Sequence, residues 1–292
     1  MSSIARTTEE RFHFDRERLL ALAEGNHESY AAGRPFPHIV IDDFLPEWVL
    51  DAVLEEFPKP NADWFAFDSP LERKLASKDG SIMGEATRHL LYEFNSAPFI
   101  DFLERLTGID ALVPDPHLEG GGLHQIEPGG HLKVHADFNR HPRTGLARRL
   151  NALIYLNRDW KPEYGGALEL WSRDMTTSEA QILPLFNRCV VFSTTDTSFH
   201  GHPEPLRCPE GETRKSIALY YYSKDDPAEA AGGDHNTLFQ SRPGEALPSI
   251  EELTAPEAGT RRPARERVKA GLRLVTPPIV VESVRRWRAR RA

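Results

Sequence analysis

The spacing of apolar residues changes character near Gly120. Before it, hydrophobic positions recur mostly at helical intervals. Thr7-x-x-Glu10 is a capping-box signature, and Phe12, Leu19, Leu20 and Leu22 follow it, which predicts a helix over 8–24. The β-branched run Phe36-Pro-His-Ile-Val-Ile-Asp42 predicts a strand. Pro46 is placed as the first residue of a second helix, because Trp48, Val49, Ala52, Val53 and Phe57 recur behind it at helical spacing. Residues 58–95 read as irregular, with Trp64, Phe65 and Phe67 set among polar neighbours. A helix from Pro98 to Thr107 is predicted to stop at Gly108, a residue suited to the position after a helix end.

After Gly120 the apolar residues fall into short segments at 122–127, 131–137, 149–157, 167–171, 188–193 and 215–223, divided by Gly, Pro, Asn and Asp. Many short strands with turn signals indicate a sandwich or barrel and argue against a parallel α/β sheet. The fold class expected is α+β with a mostly β core, a double-stranded β-helix or jelly roll, with helices of the N-terminal half packed outside it. Beyond Ser223 the composition turns to Pro, Ala, Gly and charge. This divides the chain into an N-terminal helix at 1–34, a core domain with its supporting helices at 35–225, and an extension at 226–292. No internal repeat and no dinucleotide or phosphate-loop fingerprint is present.

Composition narrows the classes further. The 292 residues are 39% hydrophobic and 27% charged, the balance of an ordinary globular protein. No apolar run approaches the ~20 residues of a membrane span. The N-terminus lacks the apolar stretch of a secretory signal, and Cys189 and Cys208 are too few for a disulfide framework or a thiolate metal site. These features point to the cytoplasm. The net charge of −8 is uneven: residues 261–292 hold 11 Lys and Arg against two acids. The remaining body is acidic, which argues against wrapping by nucleic acid. The tail leaves nucleic-acid or membrane-surface binding open, although the plainer reading is a terminal basic helix folded against the acidic body.

The chemistry lies in His131-Leu-Lys-Val-His135-Ala-Asp137. On a strand, His135 and Asp137 leave the same face, two residues apart. Pro128-Gly-Gly130 marks a turn before them and Asn139 follows, so both sit at the rim of a strand where ligands can converge. His131 is expected on that face as a rim residue outside the ligand set. A third ligand from Ser198-Phe-His200-Gly-His202 would complete two imidazoles and one carboxylate, a set that suits ferrous iron and leaves adjacent positions open for a chelator and oxygen. Spacing alone does not choose between His200 and His202. Structural zinc would want four protein ligands and catalytic zinc three. Arg214, at the head of the strand through Tyr222, offers a fixed cation that can grip a carboxylate through two parallel hydrogen bonds.

Several stretches in order resemble the prolyl 4-hydroxylase-like branch of the iron(II)/2-oxoglutarate-dependent dioxygenases. They are His135-x-Asp137, Asn151-Ala-Leu-Ile-Tyr155-Leu-Asn-Arg-Asp-Trp160, Tyr164-Gly-Gly-Ala-Leu-Glu-Leu-Trp171, Ser198-Phe-His-Gly-His-Pro203 and Arg214-Lys-Ser-Ile-Ala-Leu-Tyr220. The likeness is continuous over 120–223 and weaker over Pro35–Phe57. It implies a double-stranded β-helix with Fe(2+) held by His135, Asp137 and His200. It also implies 2-oxoglutarate as cosubstrate, O2 as oxidant and L-ascorbate as a supporting reductant. By the same resemblance Arg214 meets the distal carboxylate of 2-oxoglutarate, Tyr155 hydrogen-bonds that cosubstrate, and Asp137, absent in related halogenases, directs the outcome to hydroxylation. The interval from His200 to Arg214 is longer than in many members. The implied activity is hydroxylation of an unactivated carbon, in a prolyl peptide or a small molecule, with release of succinate and CO2. Trp64, Phe65, Lys74 and Trp171 are candidate pocket walls. The alternatives are a cupin-like isomerase using zinc or manganese and a catalytically silent jelly-roll binding module.

Overall fold

The structure is a computed structural model and describes residues 13–61, 63–224 and 233–249. Its helices are α1 (Arg16–Ala32), α2 (Glu47–Glu55), α3 (Glu85–Phe94) and α4 (Ala97–Thr107). Two strand groups precede Gly120: β1 (His38–Ile41) and the hairpin β2 (Phe65–Asp68) with β3 (Glu72–Ser77), followed by the short β4 (Val113–Pro114). After it come β5 (Gly122–Ile126), β6 (His131–Ala136), β7 (Ala147–Tyr155), β8 (Leu168–Trp171), β9 (Ser178–Ile182), β10 (Cys189–Ser193), β11 (His200–His202), β12 (Arg214–Ser223) and β13 (Leu238–Phe239).

All strand pairings are antiparallel, in the order β1-β10-β7-β12-β5-β3-β6-β11-β8-β9, with β2, β4 and β13 as short additions. The sheet curls into a nearly closed jelly roll. One wall is β1-β10-β7-β12-β5 and the facing wall is β6-β11-β8-β9. The expected fold class is the one observed.

Alternation along β7 shows how the wall divides its two sides. Leu150, Ala152 and Ile154 belong to the large core shared with the helices, which also includes Leu19, Leu50, Leu90, Phe94, Phe99, Phe102 and Leu103. Tyr155 points the other way, into an interior cluster with Leu168, Leu170, Ile182, Val190 and Phe192. Each fully buried side chain of this size contributes about 1.5–3 kcal/mol relative to exposure, so the helix-covered face carries most of the stability and leaves the interior free to hold polar groups. Among the described residues no helix is long and apolar enough to cross a membrane.

Three sequence expectations shift. The first described helix starts at Arg16, where the Asp15 side chain accepts the Arg18 amide at 2.7 Å, and it runs on to Ala32 because Leu19, Ala23 and Tyr30 are buried. The Thr7–Glu10 signature lies outside the described residues, as does the basic tail 261–292. Pro46 is the N-cap of α2 and not its first helical residue. The largest miss is 58–95: it supplies β3, which bridges the two walls between β5 and β6, and α3. The β3 sequence Glu72-Arg-Lys-Leu-Ala-Ser77 shows no alternation, because partners on both edges impose the extended form that propensity does not.

Candidate metal centre and its anion pocket

His135 and His200 face each other directly across the β6–β11 pairing, and Asp137 lies one residue beyond the end of β6. Sheet pairing therefore joins ligands 65 positions apart in the sequence. The metal-binding atoms of the three side chains all lie within 4.8 Å of one another. His135 Nε2 is 3.6 Å from Asp137 Oδ1, and His200 Nε2 is 3.5 Å from Asp137 Oδ2.

The tautomers follow from the outer hydrogen bonds. His135 Nδ1 donates to the Lys133 carbonyl at 2.9 Å, and His200 Nδ1 donates to the Ser198 carbonyl at 2.9 Å. A carbonyl only accepts, so each Nδ1 carries a proton and each Nε2 is the nitrogen that faces the carboxylate. Burial, opposed by Asp137, pushes the His200 imidazole down to about 4, so it is neutral at ordinary pH. Two imidazole nitrogens and a carboxylate converging on one point are a donor set that fits a first-row divalent ion.

Asp137 is held from behind. Its Oδ2 accepts from Arg148 at 2.9 Å and from Asn151 Nδ2 at 2.8 Å, while Asn151 Oδ1 accepts from Arg148 Nε and Nη2. The Arg148 guanidinium is stacked between the Tyr220 and Phe138 rings, at 3.4 and 4.5 Å from their centroids. Burial alone would raise the Asp137 carboxyl, but Arg148 and the two histidines hold it well below the usual carboxylate range. Unbroken alternation would point Arg148 and Asn151, three apart, to opposite faces. The register to β12 shifts between Tyr221 and Tyr222, giving β7 an extra residue at Arg149 and bringing both side chains onto one carboxylate.

Deeper in the barrel, Arg214 is buried. Its Nε donates to the Gly166 carbonyl at 2.8 Å and Nη2 donates to the Tyr155 hydroxyl at 3.2 Å. Gly166 has φ +71°, and a Cβ there would lie 3.0 Å from Arg214 Cδ, so glycine permits the close approach. Among the described residues no carboxylate lies within ion-pair distance of Arg214. Burial lowers its affinity for the proton, and burial raises the Tyr155 hydroxyl, with Arg214 opposing. A buried guanidinium with only neutral partners is costly until an anion arrives. The Arg214 guanidinium thus has the chemistry to take up a carboxylate of an anionic ligand.

The other sequence candidates fall elsewhere. His202 is buried two residues past His200 but outside the ligand group, and neither ring nitrogen has a partner among the described residues. His131 does not share the direction of His135. His200 pairs with His135 but His202 pairs with Leu132, so β6 carries a bulge that puts Leu132 in step with His135. Trp64 packs beside Phe57 in the helix-side core, not in the pocket. Trp171 lies with Val134, Ala136 and Phe199 on the outer face of the facing wall, because it alternates with the inward Leu170. Phe65 is 65% exposed on β2. Lys74 is largely buried, ion-paired to Glu72 at 3.1 Å and over the Phe67 ring, and its charge is felt at His124 and His202 in the interior. Arg148, Asn151, His124 and Phe239, whose ring lies 5.6 Å from that of His135, were not singled out by sequence. Only Asn151 carried a signal, as a polar residue within the apolar run Leu150–Tyr155.

Residues 121–222 match the family model for the 2OG-Fe(II) oxygenase superfamily. Over 208 residues the chain is 27% identical to the prolyl 3-hydroxylase OGFOD1 of Mus musculus, covering 68% of this chain. The chain spans 35% of that relative's length. A solved prolyl hydroxylase of Trichoplax adhaerens, in complex with a hypoxia inducible factor oxygen degradation domain peptide fragment, shares the fold. Its TM-score is 0.51 at 18% identity, over 79% of this chain and 99% of that one. The family likeness is thus confined to residues 121–222, and the solved structure shows the shared fold.

Proposed function

We propose that this protein is an iron(II)- and 2-oxoglutarate-dependent dioxygenase that hydroxylates an unactivated carbon, with a prolyl residue in a peptide as the first substrate to test and a small molecule as the second. The observation that carries the proposal is the pairing of two features in one barrel: a His135–Asp137–His200 group whose donor atoms converge, and a buried Arg214 with no carboxylate partner among the described residues. The family match over 121–222 supports it.

In this proposal His135, Asp137 and His200 hold the iron, and Arg214 with Tyr155 holds the distal carboxylate of 2-oxoglutarate. Iron and cosubstrate, when bound with O2, supply the oxidative chemistry that yields succinate, CO2 and a hydroxylated carbon, and L-ascorbate supports it by keeping the metal reduced. The chain supplies orientation. Arg148 and Asn151 fix the Asp137 carboxylate so that one oxygen faces the metal, and the Lys133 and Ser198 carbonyls fix the two rings. Tyr155, Leu168, Leu170, Val190 and Phe192 exclude water from the interior around the anion pocket. Residues 35–225 form the catalytic unit in this proposal. A cytoplasmic site of action fits the two unpaired cysteines.

The test is incubation with iron(II), 2-oxoglutarate and oxygen against prolyl peptides and a small-molecule panel. It is read by succinate release and by mass spectrometry for a one-oxygen gain. The proposal requires substrate-stimulated succinate that disappears in Asp137→Ala; turnover that persists in that folded variant rejects it.

A further inference from the structure

A second trio of the same donor types lies outside the barrel, on the helical face. His89 and Glu93 are four residues apart on α3 and so share one side of the helix, and His13 stands against them from the chain leading into α1. The candidate ligand atoms of His13, His89 and Glu93 all lie within 4.8 Å of one another.

Glu93 is buried and fixed. Its Oε2 accepts the backbone N–H groups of His13 at 2.8 Å and Phe14 at 3.0 Å, and its Oε1 lies 2.7 Å from His89 Nε2. The His13 ring stands edge-on to His89, with centroids 4.8 Å apart at 72°, and edge-on to Trp48 at 5.2 Å. Its Nδ1 is buried and has no hydrogen-bond partner among the described residues. A buried, unpartnered ring nitrogen next to a carboxylate and a second imidazole is a ligand without its ion.

We propose that His13, His89 and Glu93 supply the three protein ligands of a second metal site, for a borderline divalent cation of the zinc type whose fourth position water fills. Two imidazoles and one carboxylate are ordinary zinc donors, and zinc in place of the proton between His89 and Glu93 needs only a small separation of the two groups. The site staples the chain at His13 to α3, immediately before Phe14 enters the aromatic core beside Phe44, Phe94 and Phe99. This inference stands independently of the proposed oxygenase chemistry.

The test uses the full chain stripped of metal and carrying His135→Ala and His200→Ala, so that the barrel group no longer competes. Titration with zinc chloride, read by calorimetry and by metal analysis after gel filtration, is expected to give one zinc per chain and a rise in Tm. Adding His89→Gln removes that equivalent and the Tm rise, and adding His13→Ala, which leaves the α3 sequence intact, does the same. Circular dichroism checks that each variant remains folded. No zinc retained by the double variant, or one zinc retained despite both added substitutions, overturns the proposal.

Discussion

The two histidine–carboxylate groups use the same donors and are built in opposite ways. In the barrel, the ligands come from β6 and β11, joined only by sheet pairing, and the carboxylate is held by the Arg148 and Asn151 side chains. On the helical face, His89 and Glu93 come from one helix turn and the carboxylate is held by backbone amides. The barrel also holds a buried cation, Arg214, that has no carboxylate partner among the described residues, and the helical group has no such neighbour there. The donor set alone therefore does not define reactivity. What separates a reaction centre from a staple is the space and charge beside the metal.

The substitution expected to do most damage is at a barrel ligand. Asp137→Ala leaves two imidazoles and the buried Arg148 cation without their shared anion, and succinate formation falls below detection in a protein that still folds by circular dichroism. Next comes the cation that distinguishes the two sites. Arg214→Ala raises the 2-oxoglutarate concentration for half-maximal activity by about 10- to 100-fold, the cost of a lost charged hydrogen bond. A smaller effect follows from the support behind the ligand. Asn151→Ala weakens iron binding by about 10-fold or more, measured by metal titration, because Asp137 loses one of its two fixed donors.

Acid also separates the two regions. His124 is held down at about 3 and His200 at about 4, each chiefly by burial, against 6.5 for a free imidazole. In the metal-free protein these groups bind fewer protons folded than unfolded. Their contribution is complete above pH ~6.5 and is lost as the pH falls toward ~4, at up to about 1.4 kcal/mol per pH unit for each group. Urea unfolding across that range checks it, and added barrel metal steepens the loss. The smallest expected change is Glu93→Gln, which weakens the charge-assisted bonds to the His13 and Phe14 amides and lowers stability by about 1–3 kcal/mol, read from thermal unfolding.

Much of the barrel was legible because its strands are short apolar segments divided by turn residues and its ligands sit in a short motif. The segments at 122–127, 131–137 and 188–193 became β5, β6 and β10 nearly as bounded. What escaped depends on partners that no local pattern reveals. β3 is extended because β5 and β6 grip both its edges, and Trp171 faces outward because of its phase relative to Leu170. The two bulges matter most. One takes His131 out of step with His135, and the other brings Arg148 to Asp137; each adds a single residue whose position no alternation rule marks. Spacing left His200 and His202 open and the resemblance chose His200; the pairing sets that residue opposite His135.

The most direct test is anomalous diffraction from a crystal soaked without oxygen in manganese(II) and 2-oxoglutarate. The account predicts a metal peak bonded to His135 Nε2, Asp137 and His200 Nε2, with the distal carboxylate of the cosubstrate on Arg214 and Tyr155. A metal bound instead through His202, or a cosubstrate carboxylate away from Arg214, would contradict it.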